Sequence, residues 1–179
     1  MKYLYVAAAP EVMREDHLLV RDLLAGEFAA PVRELALPGL DFAYEAGRRQ
    51  YGSIAVLEML ARVCPDDAWK LLAVTDRDLY IPVLTFVFGQ AQLGGRAAVV
   101  SLARLRQEFY GLPPNRDVFV ERARKEALHE TGHMCGLVHC ADRSCAMSLA
   151  TNVRQIDTKN AAFCVPCAAR LRRHQREQS

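Results

Sequence analysis

The sequence lacks the features that would place it in a membrane, repeat or strongly charged class of protein. Its 179 residues contain no apolar run near the ~20 residues that a membrane-spanning helix needs. Lysine and arginine (23) nearly balance aspartate and glutamate (21), and the net charge of +2 gives no electrostatic reason to expect a nucleic-acid or membrane-surface partner. No internal repeat or low-complexity segment is present. With 51% hydrophobic residues, the chain can bury the core of one domain.

The chain also has little that suggests export. Residues 3–9 are apolar, but Pro10 ends this stretch well short of the roughly 15–30 residues of a secretory signal. A buried first strand explains the same residues. Four of the six cysteines stand at metal-binding spacing, which indicates thiols instead of disulfides. We therefore expect a cytoplasmic protein.

The first part of the chain alternates between strand-like and helix-like patterns. Apolar residues recur at helical spacing in residues 11–28 and 53–62. Short apolar runs bounded by turn residues predict strands at residues 3–9, 32–37 and 71–74. This βαβαβ order favours a parallel sheet flanked by helices.

The next two apolar segments predict a hairpin. Residues 84–91 and 97–102 are separated by a turn that contains Gly94 and Gly95, so the sheet should be mixed. Gly89, within the first of these strands, indicates a bulge or the close approach of another part of the chain. A plain hairpin with a glycine kink is the alternative interpretation.

Two helices are predicted in the second half of the chain. Asp117 is the predicted N-cap of the first, which should end near Gly136. Residues 160–173 predict a terminal helix that Pro166 interrupts.

The first of these helices carries a metal-binding pattern. His129 and His133 lie four residues apart and so share a helix face, where their imidazole nitrogens can bind one metal ion. Glu130 lies beside them and can take a proton from a metal-bound water. Gly136 permits the left-handed backbone of a helix end, and His139 can then return as a third ligand. Three histidines leave one coordination position open, as catalytic zinc sites do.

A second metal site is predicted directly after the first. Cys140, Cys145, Cys164 and Cys167 form the pattern C-x4-C-x18-C-x2-C, which is typical of structural zinc sites. Four thiolates close the coordination shell, so this site should stabilise the fold. Because His139 and Cys140 are neighbours, we expect the second metal to help to order the first site.

These residues resemble a known family. The stretch 129–139 matches the extended metzincin motif H-E-x-x-H-x-x-G-x-x-H, which a methionine turn follows. The four cysteines, with Met147 between the pairs, resemble the archaemetzincin family of metzincin zinc metallopeptidases. The segments 75–79, 86–91 and 101–105 are also similar to that family, so the resemblance extends over the domain.

The resemblance implies a zinc-dependent peptidase with an α/β (α+β) fold. A single metzincin-like domain would span residues 1–179, with a sheet-and-helix subdomain over 1–128 and a zinc-binding C-terminal subdomain over 129–179. The family fold has a twisted mixed sheet with an antiparallel edge strand, flanking helices, an active-site helix and a C-terminal region that zinc stabilises.

The resemblance also implies a role for each site residue. Glu130 would be the general base, and Met147 would lie below the metal. The expected ligand sets are His129, His133 and His139 for catalytic zinc, and Cys140, Cys145, Cys164 and Cys167 for structural zinc. The edge-strand residues expected to align the substrate are Phe88, Gly89, Gln90 and Ala91. We expect two zinc ions, a peptide or protein substrate, a monomer, and no nucleic-acid or membrane partner.

Two other functions are open at this point. A non-catalytic zinc protein could bind peptides or partners through the same cleft, although an intact Glu130 argues against it. A zinc-ribbon nucleic-acid module would use the cysteine pairs and the basic C-terminal residues Arg170, Arg172, Arg173 and Arg176. A solvated helix end explains those arginines, because cations favour helix C-termini.

Overall fold

The computed structural model describes residues 2–28 and 30–177. The strands are β1 (Tyr3–Ala8), β2 (Val32–Ala36), β3 (Tyr44–Glu45), β4 (Gln50–Gly52), β5 (Ala68–Thr75), β6 (Leu79–Tyr80), β7 (Gly89–Ala91) and β8 (Ala97–Ser101). The α-helices are α1 (Arg14–Glu27), α2 (Ser53–Val63), α3 (Arg116–Met134), α4 (Val153–Thr158) and α5 (Val165–Glu177). None of these helices is long and apolar enough to span a bilayer.

The main sheet is mixed, as the sequence predicts. Its order is β2-β1-β5-β8-β7, and only the pairing of β7 with β8 is antiparallel. β7 therefore lies at one edge of the sheet. The strands β3, β4 and β6 form a smaller sheet beside it.

The core lies on both faces of the main sheet, because side chains alternate along each strand. Leu72 and Val74 of β5 face a cluster that contains Ala127 and Leu128 of α3. Leu71 and Ala73 of the same strand face a second cluster, which contains Val56, Leu57 and Leu60 of α2. Because β5 is buried on both faces, most of its successive residues are apolar.

The predicted first strand of the hairpin is too long. Only Gly89–Ala91 pair with β8, whereas the preceding residues run irregularly, with a turn in which Leu84 N–H donates to Ile81 O over 3.1 Å. Leu84, the first residue of the predicted strand, is 50% exposed.

Two helix starts differ from the predictions. Asn115, and not Asp117, caps α3, because its Oδ1 accepts a hydrogen bond from Val118 N–H over 3.1 Å. Helix α5 begins at Val165 instead of residue 160, and Pro166 lies in its first turn. A proline there interrupts nothing, because the first N–H groups of a helix have no intrahelical acceptor.

Candidate active site

Helix α3 brings His129 and His133 together on the face that lies under β7. Their Nε2 atoms are 3.0 Å apart. Each Nδ1 atom lies against a backbone carbonyl, at 2.8 Å from Ala146 O for His129 and 2.7 Å from Leu137 O for His133. Because a carbonyl oxygen only accepts, each Nδ1 carries the proton and each Nε2 keeps a free lone pair.

His139 joins the pair because the chain turns back after α3. Gly136 has a φ of +81°, the left-handed conformation that the sequence predicts for the helix end. The ring centroid of His139 lies 5.4 Å from that of His129 and 5.0 Å from that of His133. One ligand nitrogen from each histidine lies within 4.8 Å of the other two.

The chemistry of these three donors fits a zinc ion. Two nitrogen ligands of a tetrahedral zinc ion are about 3.3 Å apart, which is close to the Nε2 separation of 3.0 Å. Two unprotonated nitrogens at this distance repel each other unless a cation lies between them. Burial, with a smaller effect of the charge of Lys159, lowers the pKa of His129 to about 3. Burial also lowers the pKa of His133 and of His139. The imidazoles are therefore neutral near pH 7, as metal ligands must be.

Glu130 lies between the histidines and the edge strand. Its side chain is buried, and a Cβ atom added at Gly89 would come within 2.6 Å of Glu130 Cγ and Oε1. The glycine therefore allows close approach of α3, one of the interpretations of Gly89 that the sequence leaves open. Burial raises the pKa of Glu130 well above the usual range for glutamate, and the charge of Glu126 raises it further. A raised pKa suits a group that accepts a proton near neutral pH.

The edge strand directs some of its backbone groups into the cleft. Ser101 N–H donates to Phe88 O over 2.7 Å, so Phe88 belongs to a hydrogen-bonded pair with β8. Such pairs alternate along an antiparallel ladder, which turns the groups of Gln90 toward β8 and those of Gly89 and Ala91 outward. Two of the four predicted substrate residues thus have outward N–H and C=O groups.

The cleft between β7 and α3 has a volume of about 480 Å³. Phe88, Gly89, Gln90 and Ala91 line it together with the three histidines and Glu130. Its apolar wall residues include Leu84, Phe86, Leu93, Val138 and Leu149. Several of these side chains are half exposed, among them Leu93 at 62% and Leu149 at 55%.

The four motif cysteines form a second cluster, in which every sulfur lies within 4.8 Å of the others. The Sγ atoms of Cys140 and Cys164 are 3.7 Å apart, close to the separation of about 3.8 Å expected for two thiolates on one tetrahedral zinc. Cys145 Sγ accepts hydrogen bonds from Met147 N–H over 3.4 Å and from Cys164 N–H over 3.3 Å. These N–H groups favour a thiolate, so this donor set also fits zinc.

Met147 connects the two clusters. Its side chain is fully buried, and its Sδ atom lies so close to Gly132 on α3 that a Cβ added at Gly132 would clash with it. Its backbone O accepts from Cys140 N–H over 2.9 Å. Met147 therefore packs against the helix turn between the two histidines.

Two charged residues at the site, Glu126 and Lys159, were not predicted from the sequence. Glu126 lines the cleft, and its Oε1 lies 3.1 Å from Lys159 Nζ. Glu126 could have been predicted, because it lies four residues before Glu130 and therefore on the same face of α3. No local pattern identifies Lys159, because its partner is 33 residues away.

Three histidines and a buried glutamate beneath the antiparallel edge strand of a mixed sheet form the site of a zinc-dependent metallopeptidase. The chain belongs to peptidase family M54, whose profile matches residues 10–173. This membership makes the chain a zinc-dependent peptidase, and it does not favour the non-catalytic alternative. The predicted resemblance to archaemetzincins is confirmed.

The archaemetzincin of Methanocaldococcus jannaschii is 46% identical over 138 residues, which cover 75% of each chain. The crystal structure of archaemetzincin from Methanopyrus kandleri superposes with a TM-score of 0.84 at 34% identity, over 98% of this chain and 96% of that one. The Archaeoglobus fulgidus archaemetzincin, crystallised with malonate, gives a TM-score of 0.81 at 34% identity, over 94% of this chain and 99% of that one. The predicted fold class is confirmed by these structures.

Proposed function

We propose that His129, His133 and His139 hold the catalytic zinc of this peptidase and that Glu130 is its general base. The convergence of two unprotonated Nε2 atoms, 3.0 Å apart, beside a buried carboxylate carries this proposal. A bound zinc ion would lower the pKa of a coordinated water toward ~7 and polarise the carbonyl of the peptide bond.

Glu130 performs the proton transfers. Its carboxylate accepts a proton from the attacking water and then donates it to the nitrogen of the leaving amine. Burial keeps this carboxylate from being solvated, and its contact with Gly89 brings it next to the strand that aligns the substrate. The peptide bond and the base therefore meet on the same side of the cleft.

Gly89 and Ala91 bind the substrate backbone. Their outward N–H and C=O groups are free to pair with an extended peptide, which would add one strand to the edge of the main sheet. Phe88 and Gln90 line the cleft, and the Gln90 side chain accepts a hydrogen bond from Ser53 of α2. Because the walls of the cleft are largely apolar, peptides with apolar side chains beside the cleaved bond suit the cleft best.

Cys140, Cys145, Cys164 and Cys167 hold a second, structural zinc ion. Four thiolates leave no position for water, so this ion orders the chain and takes no part in hydrolysis. Cys140 directly follows His139, and its N–H group binds Met147 O. The structural ion thus stabilises the segment that carries the third histidine.

The protein acts on peptides or proteins as a monomer in a reducing compartment, the cytoplasm, without nucleic-acid or membrane partners. None of the six cysteines, all of them among the described residues, forms a disulfide, which suits such a compartment. Light scattering across a tenfold range of protein concentration tests the monomer. Salt-dependent retention on DNA, RNA or anionic vesicles would contradict the absence of those partners.

Digestion of a mixed peptide library, read by mass spectrometry, tests the function. We expect cleavage by the zinc-loaded protein, loss of cleavage with a chelator, and recovery when zinc is restored. The positions of the new termini distinguish internal cleavage from removal of N-terminal residues. Cleavage that survives complete zinc removal would contradict the proposal.

A further inference from the structure

Lys70 is an unusual residue for the middle of a core strand. It lies in β5, on the face of the sheet that α3 covers, and only 1% of it is exposed. Burial of an amino group without hydrogen-bond acceptors costs free energy, so Lys70 needs acceptors within the core.

Lys70 Nζ joins two parts of the chain that border the active site. It donates to Met134 O over 2.6 Å and to Gly95 O over 2.8 Å. Met134 is the last residue of α3, and its carbonyl has no acceptor role within the helix. Gly95 lies in the turn between β7 and β8.

A third hydrogen bond supports the same contact. Gly94 N–H donates to His133 O over 2.9 Å. Gly94 has a φ of +67°, which a residue with a side chain rarely adopts. Lys70 therefore links the hairpin turn to the end of α3 through the carbonyls of Gly95 and Met134, and Gly94 N–H adds one direct bond to the backbone oxygen of His133.

We propose that Lys70 is a positioning residue for peptide hydrolysis, which holds the β7–β8 hairpin at a fixed distance from the end of the active-site helix. Through this link it sets the position of Gly89 and Ala91 relative to His133 and Glu130. Lys70 touches neither the substrate nor the histidines. The proposal rests on the assignment of β7, under Proposed function, as the strand that aligns the substrate.

The position of β7 matters because hydrolysis requires the peptide carbonyl to lie within a narrow range of distances from the attacking water. A displacement of the strand by about 1 Å can lower the rate about 10²-fold. A substrate that is too short to reach β7 does not use this alignment. Loss of the Lys70 link should therefore affect long and short substrates differently.

Kinetics of zinc-loaded Lys70→Met test the proposal with two substrates. One is an extended peptide long enough to pair with Gly89 and Ala91, and the other is a blocked dipeptide amide that reaches only the histidines and Glu130. We expect kcat/KM for the extended peptide to fall at least about tenfold, mainly in kcat, and that for the short amide to change less than about twofold. Leu72→Val is the matched control, because Leu72 lies on the same face of β5 and its apolar side chain makes no hydrogen bond to the hairpin turn or to α3; it should leave the ratio of the two values unchanged.

Equal loss, or no loss, on the two substrates in Lys70→Met would overturn the role of Lys70. A wild-type protein with no preference for the extended peptide would overturn the assignment of β7 and this proposal with it. Hydrogen exchange on the wild-type protein covers the case in which Lys70→Met does not fold. The Gly94 amide should be protected as strongly as the Leu137 amide, which donates to Gly132 O over 3.0 Å at the same helix end; exchange of Gly94 as fast as an unbonded turn amide would overturn the link.

Discussion

Lys159 and Glu126 form a salt bridge beneath the cleft, with Nζ and Oε1 3.1 Å apart and with side chains only 1% and 4% exposed. The bridge connects α3 to the segment between the two cysteine pairs. Burial raises the pKa of Glu126, and Lys159 opposes this shift. A carboxylate so placed depends on its partner to remain charged.

Loss of the lysine alone should therefore destabilise the protein. Lys159→Met leaves Glu126 buried without a partner, and we expect the free energy of unfolding to fall by about 3–5 kcal/mol. Urea unfolding of the zinc-loaded protein measures this change. The double substitution Lys159→Met with Glu126→Gln removes both charges and should recover most of the loss. Equal destabilisation of the single and double variants would show that the charges do not interact.

A methyl group at position 89 should displace the general base. Gly89→Ala places a Cβ within 2.6 Å of Glu130 Cγ, and we expect kcat to fall about 10²-fold with zinc content unchanged. Metal analysis and peptide cleavage on the same sample measure both quantities. Gly26→Ala in α1 is the matched control, because a Cβ added at Gly26 would meet no neighbouring atom within 4 Å; its activity should equal that of the wild type. Full activity in Gly89→Ala would mean that Glu130 does not need its present position.

The structural zinc should control occupancy of the histidine site. Cys164→Ser removes a thiol 3.7 Å from Cys140 Sγ and so loosens the segment that begins at His139. We expect zinc to fall from about two ions per chain to less than about one. Cys64 belongs to neither cluster, so Cys64→Ser is the control and should keep the wild-type zinc content. Full occupancy of the histidine site in Cys164→Ser would refute this dependence.

Local patterns account for most of the elements and for the two ligand clusters. Spacing along one helix predicts that His129 and His133 meet, and the left-handed Gly136 explains how the chain returns. These features depend on neighbours within a few residues, so the sequence contains their full signal. The apolar run of β5 is also predicted from its own residues, although the predicted strand begins at residue 71 and β5 begins at Ala68.

The missed features depend on contacts between distant residues. The charge of Lys70 suggests the end of a strand, yet β5 continues through it because Met134 O and Gly95 O accept its hydrogen bonds. The apolar residues from Leu84 onward suggest a strand, but within the described residues no strand pairs with Leu84 itself. Neither arrangement can be read from periodicity, since each is decided by how distant segments pack.

The central claim is that Glu130 acts as a base beside a zinc ion that it does not bind. Glu130→Gln keeps the size and burial of the side chain while it removes the ability to accept a proton. Zinc content and peptide cleavage, measured together on this variant, give the most direct test, with Glu121→Gln, an exposed position on α3, as the control. We predict wild-type zinc content with cleavage reduced about 10²–10⁴-fold in Glu130→Gln, and wild-type values of both in Glu121→Gln. Wild-type cleavage by Glu130→Gln, or loss of its zinc from the histidine site, would contradict the account.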